Sequence, residues 1–255
     1  MIVSLFTKGL LFATNPLYAA YADSDLLGKL IFLSLLALSI ISWIIFFQKT
    51  WISKTMRKLA LEFKKCFEKT KHHPLNVQIN TLKQNTSLPN PLLDIYLVLK
   101  EQTLELLNKN KSFHQTEESD DKQDVFLSPS DIDLVASYLS TAVSTKTKHL
   151  EKNLFILSTI VTLGPFLGLL GTVWGILTTF STLSSRAGSQ SNDVILSGLA
   201  MALGTTILGL LVAIPALIAY NYLKNDAREF QIEMEDFSTL MLATVELQYR
   251  KVDVK

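Results

Sequence analysis

The side chains best suited to handle a proton or an ion in this sequence are hydroxyls. Its three long uncharged stretches hold serines and threonines but no Asp, Glu, Lys, Arg or His. Ser158, Thr159 and Thr162 open the second stretch, Thr172, Thr178 and Thr179 follow, and Thr205 and Thr206 lie in the third. At helical spacing Thr172 is in phase with Gly168, Gly175 and Thr179, and Thr206 with Ala202, Gly209 and Ala213. Two such stripes face to face would line a narrow polar track. The commoner arrangement for a single threonine is a bond back to its own helix, and the pattern leaves both open. A side-chain proton relay needs a group that ionises, usually an intramembrane carboxylate. The spans therefore hold no relay of their own: the chain either does not conduct, or a partner supplies the carboxylate.

Other chemistry is sparse. His72, His73, His114 and His149 lack ligand spacing, and Cys66, the single cysteine, has no basic dyad in view, so a Cys66/His72/His73 metal site is a weak reading. Glycines crowd the second stretch, but no lysine follows them, and Leu, Val, Trp and Ile fill the gaps where a phosphate cradle needs an exposed turn. With 24 basic and 23 acidic residues there is no reason to expect nucleic-acid binding. The expectation is no catalytic residue, no metal and no cofactor; an intramembrane enzyme would lack a nucleophile and an acid.

The elements that position these residues follow from charge segregation. Hydrophobic residues make up 48% of the 255 and charged ones only 18%, against about a quarter in soluble domains. Leu30–Phe47 is long enough for one bilayer crossing. The uncharged runs Asn153–Ser185 and Val194–Leu223 are longer than a bilayer core requires, so those helices must tilt, kink or project. Gly164, Gly168, Gly171 and Gly175 form one helical stripe; Gly198, Ala202, Thr205, Gly209 and Ala213 form another, and the two favour tight pairing of the second and third spans. Pro165 and Pro215 lie at similar depth, each freeing a carbonyl one turn earlier, as a kink or a gate.

Lysine and arginine placement sets an expected orientation. Eight lie between Gln48 and Lys71, three more precede the second span, and Lys224 and Arg228 follow the third, whereas the loop from Ser184 to Asp193 has only Arg186. The class is an all-α membrane protein with three transmembrane helices and long cytoplasmic helical extensions. Its expected parts are an extracytoplasmic segment 1–27, spans at 28–48, 153–183 and 194–223, a cytoplasmic helical domain 49–152 with a flexible loop 112–127, an outer loop 184–193 and a cytoplasmic helix 224–255. Ile2, Leu5, Phe6, Leu10 and Ala13 share a face, favouring a helix in the outer interface over a signal cleaved after the AAYA run. Ser128, Pro129 and Asp131 form a helix-start signature. No breaker follows before Gly164, so that helix is expected to run straight into the second span. Phe230, Met234, Phe237, Met241 and Val245 mark one face of the last helix.

GPFLGLLGTVWGI (Gly164–Ile176), SGLAMALGTTILGLLVAIPALIAYN (Ser197–Asn221) and SIISWIIFFQK (Ser39–Lys49) resemble the ExbB/TolQ proton-channel family, relatives of MotA. The resemblance implies a pentameric helical bundle around the single spans of an ExbD/TolR-like partner, which brings the protonatable Asp. The complex would sit in the lipid bilayer of the bacterial inner membrane, N-terminus periplasmic and C-terminus cytoplasmic, and pass force to a TonB- or TolA-like protein. Thr172 and Thr206 occupy the family's pore-lining positions, and Thr205 is grouped with them. Trp174, Pro165 and Pro215 join the glycines and alanines above as packing and assembly residues. Met201 stands where the family usually has glutamate, which puts in doubt any role that depends on that residue, and with it the subfamily. A non-conducting membrane scaffold is the alternative function.

Overall fold

The computed structural model describes residues 16–22, 24–70, 73–77, 90–114, 126–185 and 192–250. These are helical: α1 Pro16–Ala22, α2 Leu26–Lys69, α3 Pro91–His114, α4 Pro129–Glu151, α5 Leu154–Ser185 and α6 Asn192–Tyr249. The one β feature among them is an isolated bridge between Leu127 and Arg250. α2, α5 and α6 are each long and apolar enough to cross a membrane. The segment proposed to lie in the outer interface falls, up to residue 15, outside the described residues. So does most of the expected loop, since residues 112–114 form the last turn of α3 and 115–125 are not described.

The chain divides into two units, residues 1–48 with 153–223 and residues 49–152 with 224–255. In the first, large apolar side chains such as Leu33, Leu36, Ile40 and Ile44 of α2 point away from the protein. So do Leu169, Val173, Leu177 and Phe180 of α5. Hydrocarbon is the medium in which such a surface is stable.

The second unit has an ordinary water-excluding core. Ile132, Val135, Leu139 and Val143 are buried at helical spacing on α4, and Phe230, Met234, Phe237, Met241 and Val245 on α6. Four rings knit it: Phe63 lies 5.5 Å from Tyr96 and Phe67 5.4 Å from Phe237, centroid to centroid. Burial pushes the Tyr96 phenol above its ordinary pKa, only partly opposed by the bond its oxygen accepts from the Val77 amide. At the surface Arg57 meets Asp226 at 3.1 Å and Glu233 at 2.6 Å, with its guanidinium 5.4 Å from the Phe230 ring centre.

The start of α4 carries a full capping box. The Ser128 hydroxyl accepts from the Asp131 amide at 3.2 Å, and the Asp131 carboxylate accepts from the Ser128 amide at 2.9 Å. The far end corrects the expected uninterrupted helix. α4 stops at Glu151 and α5 starts at Leu154, with Asn153 at φ 72° between them. Asparagine enters the left-handed region more readily than most side chains, so the break needs neither Gly nor Pro. Lys49 Nζ donates to the Leu150 carbonyl at 2.9 Å and satisfies one orphan acceptor of the α4 C-terminus. Burial first, and Lys152 second, push the Lys49 ammonium below the usual lysine pKa.

Candidate functional site

Uncharged helices in a bilayer gain little by hiding apolar surface from one another, since lipid is as apolar as leucine. Close backbone approach supplies the attraction instead, and α5 and α6 achieve it over about four turns. A Cβ at Gly164 would lie 3.1 Å from the Gly209 carbonyl and 3.3 Å from the Ala213 Cβ; one at Gly168 would lie 3.0 Å from the Thr205 carbonyl. At Gly171 it would run into the Thr205 side chain, with the Thr205 Cβ 2.5 Å away. At Gly175 it would stand 3.0 Å from the Ala202 Cβ, and at Gly198 it would meet the Thr179 hydroxyl. Numbers rise on α5 as they fall on α6, so the pair is antiparallel. Contact from Gly164 to Thr179 spans about 22 Å of helix.

The hydroxyls divide by exposure. Thr205 is fully buried within the pair, its Oγ1 donating to the Ala202 carbonyl at 2.8 Å and the Gly168 carbonyl at 3.3 Å. Thr206 and Thr172 are half-buried. Thr206 Oγ1 donates to the same Gly168 carbonyl at 3.3 Å, and Thr172 Oγ1 donates to Leu169 at 2.7 Å within its own helix. The Gly168 carbonyl, one turn before Thr172 on α5, is thus the point where both α6 hydroxyls converge.

Three sequence candidates leave the stripe. Pro165 and Pro215 each sit inside a continuing helix. Pro215 helps line an apolar groove of about 360 Å³ with Ser42, Trp43, Phe46 and Tyr222. Trp174 reaches out of the α5–α6 pair, its Nε1 donating to Asp25 Oδ2 at 2.7 Å. Met201 is buried with Ala20 of α1 and Phe32 of α2. It lies beside Gly28, where a Cβ would be 3.1 Å from its sulfur. Asp25 lies just outside the first uncharged stretch and so leaves no mark in the pattern of the spans. The one local signal is its spacing to Gly28, an N-cap pattern; nothing local joins it to a tryptophan 149 residues away.

These features define a class: a helical membrane protein with three candidate spans, the last two joined through small residues. The profile of the MotA/TolQ/ExbB proton channel family matches residues 111–236. Over 88 residues the chain is 46% identical to the biopolymer transport protein ExbB of Aquifex aeolicus, a match covering 34% of this chain and 59% of that protein. It is 26% identical over 245 residues to ExbB of Pseudomonas putida, covering 94% of this chain and 66% of the relative. It is 29% identical over 208 residues to the Tol-Pal system protein TolQ of Pseudomonas aeruginosa, covering 81% and 82%. The chain thus spans under two thirds of the length of both ExbB relatives. The chain is similar to the MotA/TolQ/ExbB proton channel family over residues 111–236, and to ExbB and TolQ proteins over most of its length.

Proposed function

We propose that this chain is a proton-channel and motor subunit of the bacterial inner membrane. It assembles as a homo-oligomer, a pentamer on the family resemblance, around an ExbD/TolR-like single-span partner. Proton passage then drives a TonB- or TolA-like protein for envelope transport or envelope maintenance. The drive is about 2.3 kcal/mol per charge per 100 mV of membrane potential.

The observation that carries this reading is the edge of the α5–α6 crossing. Thr172 and Thr206 are half-buried there, one turn around the Gly168 carbonyl, in spans whose sequence has no ionisable side chain. A partner carboxylate beside them, when protonated, would find hydroxyls and water in place of hydrocarbon. Holding an acid at the bilayer centre costs roughly 2.5–3.5 kcal/mol, and each membrane hydrogen bond offsets about 0.6–2 kcal/mol. Thr205, buried and bonded within the pair, supports packing instead.

One observation favours the scaffold reading: both edge hydroxyls already have helix carbonyls as partners. The two readings part in the double variant Thr172→Val/Thr206→Val, which keeps side-chain shape and leaves the Thr205 bonds in place. Proton flux through the complex reconstituted with its single-span partner is expected to fall about tenfold or more, at unchanged assembly. Flux equal to wild type would overturn the role of these hydroxyls. A wild-type complex that passes no protons would leave the scaffold.

A further inference from the structure

The first unit carries a carboxylate that the proton path described above does not use. Asp25 precedes α2, and its Oδ1 accepts from the Gly28 amide at 2.9 Å, as an N-cap side chain does. Its Oδ2 accepts from Trp174 Nε1 of α5 at 2.7 Å, a bond across 149 residues of sequence. Among the described side chains of this unit Asp25 is the one carboxylate. It nevertheless remains exposed. An ionised carboxylate offers about four acceptor positions, and the protein fills two. Water reaches the others.

We propose that Asp25 is a proton acceptor at the outer mouth of the α5–α6 pair and that Trp174 is the residue that positions it. The assignment rests on the proton-channel reading and on the orientation expected from lysine and arginine placement. A hydronium ion on the outer side gives its proton to a free lone pair of the carboxylate and leaves as water. The neutral acid now has an O–H to donate. Gly28 and Trp174 are both donors, so that O–H turns to water, and the proton departs there as the carboxylate reforms. In the neutral form the indole bond loses its charge assistance, which is a large part of its strength. Proton loading therefore loosens the tie between α2 and α5, and unloading tightens it. α5 brings Trp174 to Asp25 and α6 brings Met201 to the neighbouring Gly28; the ionisable residues of the adjoining turns are Lys29, whose amide donates to the Asp25 carbonyl, and Tyr21, whose carbonyl accepts from the Ser24 amide.

Asparagine removes the proton site but offers one oxygen to two donors, so it keeps the Gly28 cap and gives up the indole bond, the same bond that Trp174→Phe removes by itself. In the complex reconstituted with its single-span partner, Asp25→Asn is expected to assemble as Trp174→Phe does, since both lack the indole bond. Its proton flux should nevertheless fall about tenfold or more, and the dependence of flux on outer pH, at fixed driving force, should flatten. Asp25→Glu should restore most of both. Trp174→Phe should retain part of the flux, because the acid remains but is no longer held. An Asp25→Asn complex with wild-type flux and wild-type outer-pH profile would overturn this assignment while leaving the channel reading intact. A wild-type complex that passes no protons would overturn both.

Discussion

Gly171 and Thr205 illustrate what spacing reveals about a residue and what it hides. Glycines four, three and four apart announce a face that a neighbouring helix can approach, because that much follows from helical periodicity alone. Which glycine is tightest does not follow, since it depends on the rotation of the partner helix. The sequence groups Thr205 with the path; its placement within the stripe, opposite Gly171, makes it a buried filler whose hydroxyl is spent on two carbonyls. The consequence is graded. Gly171→Ala should already destabilise the subunit by about 1–3 kcal/mol, because the new Cβ meets a branched side chain that cannot swing away. Gly164→Ala, facing contacts of 3.1 and 3.3 Å, should be milder. Thermal unfolding in detergent and the yield of intact oligomer measure both. Equal behaviour of the two variants would mean that the crossing is looser than these distances.

At the scale of an element, α4 shows why helix beginnings are easier to read than helix ends. Ser128, Pro129 and Asp131 specify a start through local hydrogen bonds, and those bonds form. The end depends on Asn153 taking a left-handed conformation and on Lys49, about a hundred residues earlier, reaching the Leu150 carbonyl. Neither contact has a local pattern. The start has a pH signature. Burial pushes the Asp131 carboxyl up, but the Ser128 amide, Asn110, the Ser128 side chain and nearby Lys109 together hold it below its ordinary value. A depressed carboxylate contributes stability above its unfolded pKa and loses that contribution as pH falls through the folded one. Asp131→Asn should therefore lower the melting temperature at neutral pH, with the gap to wild type closing as pH falls below about 4, the ordinary Asp value, and through the lower folded one. The site is largely open to water, so the gap will be small. Ser128→Ala should cost about 1 kcal/mol with little pH dependence. A gap for Asp131→Asn that persisted in acid would point to lost geometry rather than lost charge.

For the whole molecule, the three apolar helices were legible because lipid imposes the simplest rule in protein sequences: no charge for the length of a bilayer core. The core of the second unit was partly legible, through Phe230, Met234, Phe237, Met241 and Val245. Its aromatic meeting of Phe63, Phe67 and Tyr96 with Phe237 joins three helices and has no periodic trace. Sidedness is the remaining global property, and it rests on lysines and arginines flanking the spans. Eight between Gln48 and Lys71 stand against one, Arg186, between the second and third spans. Each basic side chain resists translocation, and the bias acts most strongly close to span ends, where these residues lie. In a Cys66→Ser background, cysteine at position 189 should therefore react with a membrane-impermeant maleimide added to intact cells. Cysteine at position 119 should react only after the inner membrane is opened. The inverse pattern would place Asp25 on the inner side and remove its access to the proton-rich compartment. The α5–α6 crossing would stand unchanged, because its contacts do not depend on which way the chain faces.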